Sequence, residues 1–177
     1  MRPIPALTAL LVLAAGTVLA RTNAATLNGF TFEIPVTLPG TPEEIFDAAT
    51  GDVTGWWDHT FSKNPKALVL EPKVGGHFIE LFDDKGNGAQ HAEVIYCERP
   101  KKIRFEGPLG LSGTAVDLVC TYSFEAVGTD STRMTVSASG AGAVDASMGP
   151  MVEGVWRHFL IERFKPYILA GKHKAKK

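Results

Sequence analysis

Hydrophobic and polar residues alternate without a break over Phe30–Leu38, as in a strand with one buried face. Pro35 lacks an N–H group, so this strand is expected at a sheet edge or at a bulge. Similar alternation recurs after residue 66, in segments separated by turns rich in Gly, Pro, Asp and Asn. The short connections predict antiparallel neighbours. Six further strands are predicted: Ala67–Glu71, His77–Phe82, Ala89–Cys97, Lys101–Glu106, Ala115–Ala126 and Ser131–Gly140.

Helical signals flank this run of strands. Thr41 can cap a helix, with Pro42 in its first turn and Glu44 completing a capping box. Asp52–Trp57 is predicted as a second short helix that ends in two adjacent tryptophans, one packed inward and the other lining an opening. A long amphipathic helix is predicted over Pro150–Ala170, and a curved sheet is its expected partner. The predicted order is one strand, two helices, six strands and a long helix.

Composition and charge narrow the class of protein. The chain has 177 residues, one domain's worth, of which 45% are hydrophobic. With 18 basic and 19 acidic residues, its net charge of −1 gives no reason to expect a nucleic-acid partner. The lysine-rich tail, residues 172–177, is predicted to be disordered. It offers a possible contact with an anionic membrane surface, although a solvated tail is preferred.

The N-terminus has the pattern of an export signal. Arg2 supplies a positive charge, Leu7–Leu19 is almost continuously apolar, and small residues follow. Residues 1–25 are therefore predicted to be a signal peptide and short leader, and residues 26–171 the folded domain. The protein is expected to be periplasmic or secreted. The alternative, an uncleaved membrane anchor, is less favoured because the apolar run is shorter than a bilayer requires.

Several short motifs accompany this order of elements: Trp56-Trp57, Val74-Gly75-Gly76-His77-Phe78, Arg99-Pro100-Lys101-Lys102-Ile103, Gly128-Thr129 with Arg133-Met134-Thr135-Val136, and Gly154-Val155-Trp156. Together they resemble the START-like superfamily, also called SRPBCC or helix-grip proteins. The resemblance covers about Thr31 to Leu169 and is strongest to the branch of polyketide cyclase/dehydrase-like proteins and activators of heat-shock-protein-90 ATPase. The resemblance implies an α+β fold in which a seven-stranded antiparallel sheet wraps the long C-terminal helix and leaves a ligand cavity between them.

Strand parity and helical spacing indicate which side chains face such a cavity. An apolar lining predicts a lipid-like, isoprenoid or aromatic ligand, and the alternative is a packed core without a usable void. The Gly-rich loop Gly107–Gly113 is either a lid carrying two leucines or an ordinary loop. The predicted ligand-binding residues are Trp56, Trp57, Phe78, Glu80, Phe82, Phe105, Leu109, Leu111, Leu118, Tyr122, Met134, Val152, Val155, Trp156, Phe159 and Arg163.

Few residues suggest a catalytic or metal-binding role. Glu80 shares the parity of its apolar neighbours, but the sequence leaves its direction open. If it points inward, it could pair with Arg163 or act as an acid or base, and Tyr122 is the other candidate for moving protons. The preferred alternative is that Glu80 has no such role and that Arg163 holds its charge in solvent. His77 and His91 are predicted to lie at the surface, and His158 on the outer face of the helix. No His-x-x-x-His or Cys-x-x-Cys spacing is present, so neither a metal site nor a cofactor is predicted.

Three functions follow from these observations. The first is an exported, non-enzymatic binder of a small hydrophobic ligand. The second is a cyclase/dehydrase-type enzyme acting on a polyketide-like substrate in the same cavity, with Glu80 or Tyr122 moving protons. The third is a protein-interaction domain like the chaperone ATPase activators. The binder is preferred because the sequence places no convincing acid and base together, and the oligomeric state is left open.

Overall fold

A computed structural model describes residues 28–175 of the chain, and the predicted signal peptide lies outside them. The described part contains one antiparallel sheet with the strand order β1-β8-β7-β6-β5-β4-β3-β2. Its strands are β1 (Asn28–Pro39), β2 (Gly51–Asp52), β3 (Ala67–Leu70), β4 (His77–Leu81), β5 (Gly88–Glu98), β6 (Lys102–Gly107), β7 (Val116–Ala126) and β8 (Ser131–Gly142). The α+β helix-grip architecture predicted from the sequence is confirmed, with eight strands where seven were expected.

The long first strand, β1, lies at one edge of the sheet. β1 pairs with β8 along its whole length, from Asn28 opposite Gly142 to Pro39 opposite Ser131. It is an edge strand, as Pro35 predicted, because a residue without an N–H group costs no ladder bond on an unpaired edge. The alternating burial along β1, β7 and β8 follows the predicted parity.

The first helix, α1 (Pro42–Ala49), begins as predicted. The Thr41 hydroxyl accepts the N–H of Glu44 at 3.3 Å, and the Glu44 carboxylate accepts the N–H of Thr41 at 2.9 Å. This reciprocal pair satisfies two N–H groups that a helix start otherwise leaves free. Phe46 then packs edge-on against Phe124 of β7, with ring centroids 5.3 Å apart, and joins α1 to the sheet.

The second predicted helix, Asp52–Trp57, is wrong. Gly51 and Asp52 form the short strand β2, opposite Leu70 and Val69 of β3. The Asp52 carboxylate then accepts the N–H of Thr54 at 2.9 Å, a local bond that favours a turn over a helix. The backbone N–H of Trp57 donates to the carbonyl of Val53 at 2.9 Å and completes the turn.

The C-terminal helix (residues 148–169) runs through three differently wound segments. They are α2 (Met148–Arg157), a π-helical segment (His158–Phe164) and α3 (Lys165–Leu169). In the wide segment, Lys165 donates its N–H to the carbonyl of Leu160, five residues earlier. Pro166 gives a physical reason, because its ring would clash with the carbonyl four residues before it in a regular α-helix. The prediction assumed an uninterrupted α-helical period.

The wide winding changes which side chains face the sheet. Leu160 and Phe164 are fully buried, whereas the Arg163 side chain, predicted to face inward, is 44% exposed. Trp156 contacts the sheet through Tyr122 of β7, with ring centroids 5.8 Å apart.

The residues Lys172–Ala175, predicted as part of a disordered tail, form a short 3₁₀-helix. Within residues 28–175, no helix has the length and apolar character needed to cross a bilayer.

Candidate functional site

A half-open cavity of about 500 Å³ lies against the C-terminal helix. This volume falls within the range of small-molecule sites in proteins. The predicted alternative, a core without a usable void, is therefore wrong. The lining residues are Trp57, Asp58, His59, Thr60, Phe61, His91, Leu109, Gly110, Leu111, Leu118, Met151, Val152, Val155, Trp156 and Phe159.

One wall of the cavity is aromatic and centred on Trp57. Its ring stacks on Phe159 with centroids 3.9 Å apart and meets the edges of Trp156 and Phe78 at 5.6 Å and 4.9 Å. Trp56 is buried outside the cavity lining and packs against Phe164 of the C-terminal helix at 4.7 Å. The adjacent tryptophans thus divide as the sequence indicated, one in the core and one at the cavity.

The predicted ligand-binding residues separate into three groups. The cavity brings together Trp57, Leu109, Leu111, Leu118, Val152, Val155, Trp156 and Phe159. Buried outside its lining are Trp56, Phe78, Glu80, Phe105, Tyr122 and Met134. Phe82 and Arg163 were expected to face inward and do not. Phe82 is 37% exposed because β4 ends at Leu81, after which the alternation no longer applies.

Glu80, whose direction the sequence left open, points inward, and it serves the backbone and not a ligand. Its carboxylate is fully buried and accepts the N–H groups of Phe61 at 2.9 Å and Ser62 at 2.7 Å. The expected partner Arg163 bonds Asp58 instead. Because two N–H bonds converge on one carboxylate, Glu80 fixes the loop that carries Phe61 into the cavity wall.

His91 was predicted at the surface, and the structure places it in the cavity wall, 4% exposed. A register shift between Phe78 and Ile79 of β4 bulges β5, so that His91 and Ala92 are both buried although they are consecutive. The imidazole lies between Phe61, stacked at 5.6 Å, and Phe78, at 4.9 Å. Its Nε2 atom is 3.4 Å from Glu80 without hydrogen-bond geometry.

The environment of His91 predicts a pH-dependent stability. Burial lowers the pKa of His91, and the facing Glu80 carboxylate offsets this only in part. The neutral imidazole is therefore the stable form in the fold. Its contribution is complete above the unfolded-state pKa, near 6.5, and is lost as the pH falls through that value towards the lower folded-state pKa.

When the pH is lowered from 7.5 to 5.5, we expect the free energy of unfolding of His91→Phe to fall by less than that of the wild type. The phenyl ring keeps the stacking on Phe61 but takes up no proton. Urea unfolding at both pH values measures the difference, in a window where most carboxylates stay ionised. Equal losses in the two proteins would contradict the assigned role of His91.

A polar cluster, the mouth cluster, stands at the open end of the cavity: Asp58, His59, His158, Glu162 and Arg163. Asp58 accepts hydrogen bonds from His59 Nδ1 and His158 Nε2, each at 2.9 Å, and forms an ion pair with Arg163, whose Nε lies 3.1 Å from Oδ2. His158 Nδ1 lies 2.9 Å from Glu162. The prediction that His158 occupies the outer face of the helix is therefore wrong, since it joins the helix to the segment after Trp57.

Hydrogen bonds within the mouth cluster shift the pKa values of Asp58 and His158 in opposite directions. Partial burial would raise the pKa of Asp58, but bonds from His158 and His59 and the Arg163 charge bring it below its usual value. Bonds to Asp58 and Glu162 raise the pKa of His158. The free protein thus favours a carboxylate beside an imidazolium.

Sequence reasoning missed Asp58, His59, Thr60 and Phe61, since their segment has no hydrophobic period. It also missed Met151.

The loop between β6 and β7 covers another side of the cavity. Leu109 adopts a left-handed backbone, with φ of 45°, a conformation that costs about 1–2 kcal/mol for a residue with a Cβ atom. Its N–H donates to the carbonyl of His91 at 3.0 Å, and both Leu109 and Leu111 pack on the core. These contacts hold the two leucines over the cavity.

Tyr122 is unsuited to the proton transfer considered for it. The side chain is fully buried, does not line the cavity and packs between the rings of Phe105 and Trp156. Burial raises the pKa of Tyr122 well above its ordinary value. Among the residues predicted for chemistry, neither Tyr122 nor Glu80 belongs to the cavity lining.

Comparison with known proteins is consistent with this architecture. The family model described as "Activator of Hsp90 ATPase homolog 1-like protein" matches residues 39–168. No protein with a curated description matches the sequence significantly.

Solved structures share the fold at low identity. SA2116 from Staphylococcus aureus is 11% identical with a TM-score of 0.60, covering 84% of this chain and 98% of its own. CV1439 from Chromobacterium violaceum is 14% identical with a TM-score of 0.54, and the coverages are 78% and 96%. CalU16 from Micromonospora echinospora is 18% identical with a TM-score of 0.52, and the coverages are 76% and 79%. Such identities show a common fold and no common activity.

Proposed function

Because the chain belongs to the family of proteins like activator of Hsp90 ATPase homolog 1, in the START-like superfamily, we propose that it uses the helix-grip cavity to bind a small hydrophobic ligand. A lipid-like, isoprenoid or aromatic molecule suits the site. The observation that carries the proposal is the cavity of about 500 Å³, whose walls are mostly aliphatic and aromatic side chains.

The distribution of polar groups refines the ligand class. Leu118 and Trp156 are almost fully buried and form an apolar interior, whereas Asp58 and His59 are exposed at the open end. The apolar part of a ligand inside the cavity would be removed from water, which favours binding by about 25 cal/mol per Å² of buried apolar surface. A polar group on the same molecule would remain at the mouth. The proposed ligand is therefore amphiphilic, with one polar end.

A pair of tryptophan substitutions on the C-terminal helix tests the cavity. Val155 lines it, whereas Ile161 is 43% exposed on the same helix. We expect Val155→Trp to fill the space and weaken binding of the uncharged dye N-phenyl-1-naphthylamine at least about tenfold, a loss of roughly 1.4 kcal/mol. Ile161→Trp, the matched control, should bind like the wild type. Dye fluorescence measures both, and equal affinities of the two variants would contradict binding in the cavity.

The ligand itself can be identified in the protein from its own host. Native mass spectrometry of the purified chain should show a protein–ligand complex, and denaturation should release a small amphiphilic molecule. Val155→Trp produced in the same host should carry less of it than Ile161→Trp. A wild-type chain that is always free of ligand would count against a carrier role.

A reaction in the same cavity is the second candidate, and His91 favours it. The imidazole is a base in an apolar wall, with Glu80 3.4 Å away. A cyclase/dehydrase-type enzyme would convert a polyketide-like substrate either by loss of water, which lowers the mass, or by ring closure, which conserves the mass but alters chromatographic retention. Incubation of a linear polyketide-like substrate with wild-type protein should then change its mass or its retention, and His91→Phe should not. An unchanged mass and retention in both incubations would favour the binder.

The matched family also supports the third hypothesis, a protein-interaction domain. A protein partner would bind the outer surface of the sheet, so co-elution with it should be insensitive to Val155→Trp. If a co-eluting partner were lost in that variant, the interaction would depend on the cavity.

We also propose that the protein is exported, on the strength of its first 25 residues. Cell fractionation should find it in the periplasm or medium, and its intact mass should correspond to a start between Arg21 and Thr26. A full-length mass in the membrane fraction would support the uncleaved anchor instead.

A further inference from the structure

Three side chains of metal-binding type converge at the mouth of the cavity. One ligand atom each from Asp58, His59 and His158 lies within 4.8 Å of the others. Asp58 Oδ1 is 2.9 Å from His59 Nδ1 and 3.0 Å from His158 Nε2. The residues come from two parts of the chain, the segment after the tryptophan pair and the π-helical segment.

The surrounding bonds orient these atoms as a metal site requires. His158 Nδ1 is 2.9 Å from Glu162, so a carboxylate holds the ring while Nε2 faces Asp58 and His59. This carboxylate–histidine arrangement typically stands behind metal-bound imidazoles. Asp58 Oδ1 lies within 3.0 Å of both histidines, whereas Oδ2 is 2.9 Å from His158 Nε2 and forms an ion pair with Arg163 Nε at 3.1 Å.

The contacts of Asp58 with the two histidines are close to the separations of metal ligands, and the two histidine atoms lie within 4.8 Å of each other. Zinc bonds of about 2.0–2.1 Å at a tetrahedral angle place neighbouring ligand atoms about 3.3 Å apart. The contacts of Asp58 Oδ1 therefore need to lengthen by only a few tenths of an ångström. The ion would take the place of the proton that each contact now shares. Side-chain exposures of 32% for Asp58, 53% for His59 and 29% for His158 leave a path from solvent.

We propose that Asp58, His59 and His158 form a binding site for a divalent transition-metal ion of the zinc class. Two imidazoles and one carboxylate are a ligand set that zinc accepts, with further positions left open. Asp58 and His59 also line the cavity, so an ion held there would lie beside it. The site would bind an oxygen atom at the polar end of a cavity ligand, but metal binding itself does not depend on that ligand.

Binding of Zn²⁺ and Co²⁺ to the tag-free chain, without added ligand, tests the proposal. Competition with a chromophoric chelator should show one Zn²⁺ per chain, and the absorption of the Co²⁺ form should be that of a four- or five-coordinate ion with nitrogen and oxygen ligands. His59→Ala and His158→Ala should each weaken Zn²⁺ binding by more than tenfold. Glu162→Gln, which alters only the orientation of His158, should weaken binding by about 10-fold to 100-fold.

Controls separate a built site from incidental binding. His77→Ala, which removes a histidine of β4 outside the cluster, should bind Zn²⁺ like the wild type. Asp58→Asn preserves side-chain shape and tests the carboxylate if an alanine variant unfolds, as circular dichroism would show. The proposal is overturned if the wild type binds no stoichiometric Zn²⁺, if the Co²⁺ spectrum is that of a hexahydrated ion, or if His77→Ala alone abolishes binding.

Discussion

Replacement of Glu80 by alanine should lower the free energy of unfolding by about 3 kcal/mol. Its buried carboxylate accepts the N–H groups of Phe61 and Ser62, and hydrogen bonds to a charged group contribute about 1.5–3 kcal/mol each. Removing a buried charge recovers part of this, because the carboxylate no longer has to be desolvated. Denaturant unfolding of the variant and the wild type at pH 7 measures the loss.

Two further variants make the Glu80 result specific. Glu80→Gln keeps one acceptor oxygen but turns an amide N–H₂ towards the other backbone donor, so it should lose about half as much stability. Glu93→Ala, an exposed glutamate on the neighbouring strand β5, should change stability by no more than about 0.5 kcal/mol. Similar losses in Glu80→Ala and Glu93→Ala would mean that the carboxylate does not hold the loop. Binding of N-phenyl-1-naphthylamine should weaken in Glu80→Ala, because Phe61 leaves the wall.

Trp57→Ala should have the largest effect of any single change in the cavity, about 3–5 kcal/mol in stability together with loss of dye binding. The indole contacts Phe159, Trp156 and Phe78, and its Nε1 donates to the carbonyl of His59 at 2.9 Å. The truncation therefore removes a wall and also frees the backbone that positions the mouth cluster. Thermal and urea unfolding, with dye titration, measure the two effects.

Other aromatic substitutions calibrate this effect. Trp57→Phe keeps a ring against Phe159 and should lose roughly half as much stability, with weakened dye binding. Tyr96→Ala removes an aromatic ring that is 40% exposed on β5, and should cost less than about 1 kcal/mol without changing dye affinity. If Trp57→Ala retained wild-type dye affinity, the dye would not occupy the cavity described above.

Local signals in the sequence were sufficient for most of the fold. The capping box of Thr41 and Glu44 and the alternation along β1, β7 and β8 depend on residues a few positions apart, and they appear as predicted. The errors lie where the phase of the pattern changes. The turn after Asp52, the bulge opposite Phe78 and the wide winding before Pro166 each interrupt a period that the prediction assumed to be constant.

The residues of the candidate site likewise fall into those that the sequence predicted and those that it missed. Leu118, Val155 and Trp156 were identified because regular elements carry them into the wall. The segment from Asp58 to Phe61 has no period of its own. Glu80, 19 residues from Phe61 in sequence, fixes its position through a contact that only the folded chain creates. His91 was missed because a one-residue bulge reverses the side on which it emerges.

The π-helical segment His158–Phe164 has a consequence for comparing this chain with its relatives. Its wider turns take up about one residue more than regular α-helical winding over the same rise. A relative one residue shorter at this point could wind as an ordinary α-helix and still present the equivalents of Phe164 and Ile168 to the sheet. Alignments of such relatives should therefore carry a single-residue gap in the middle of a helix, where gaps are usually penalised.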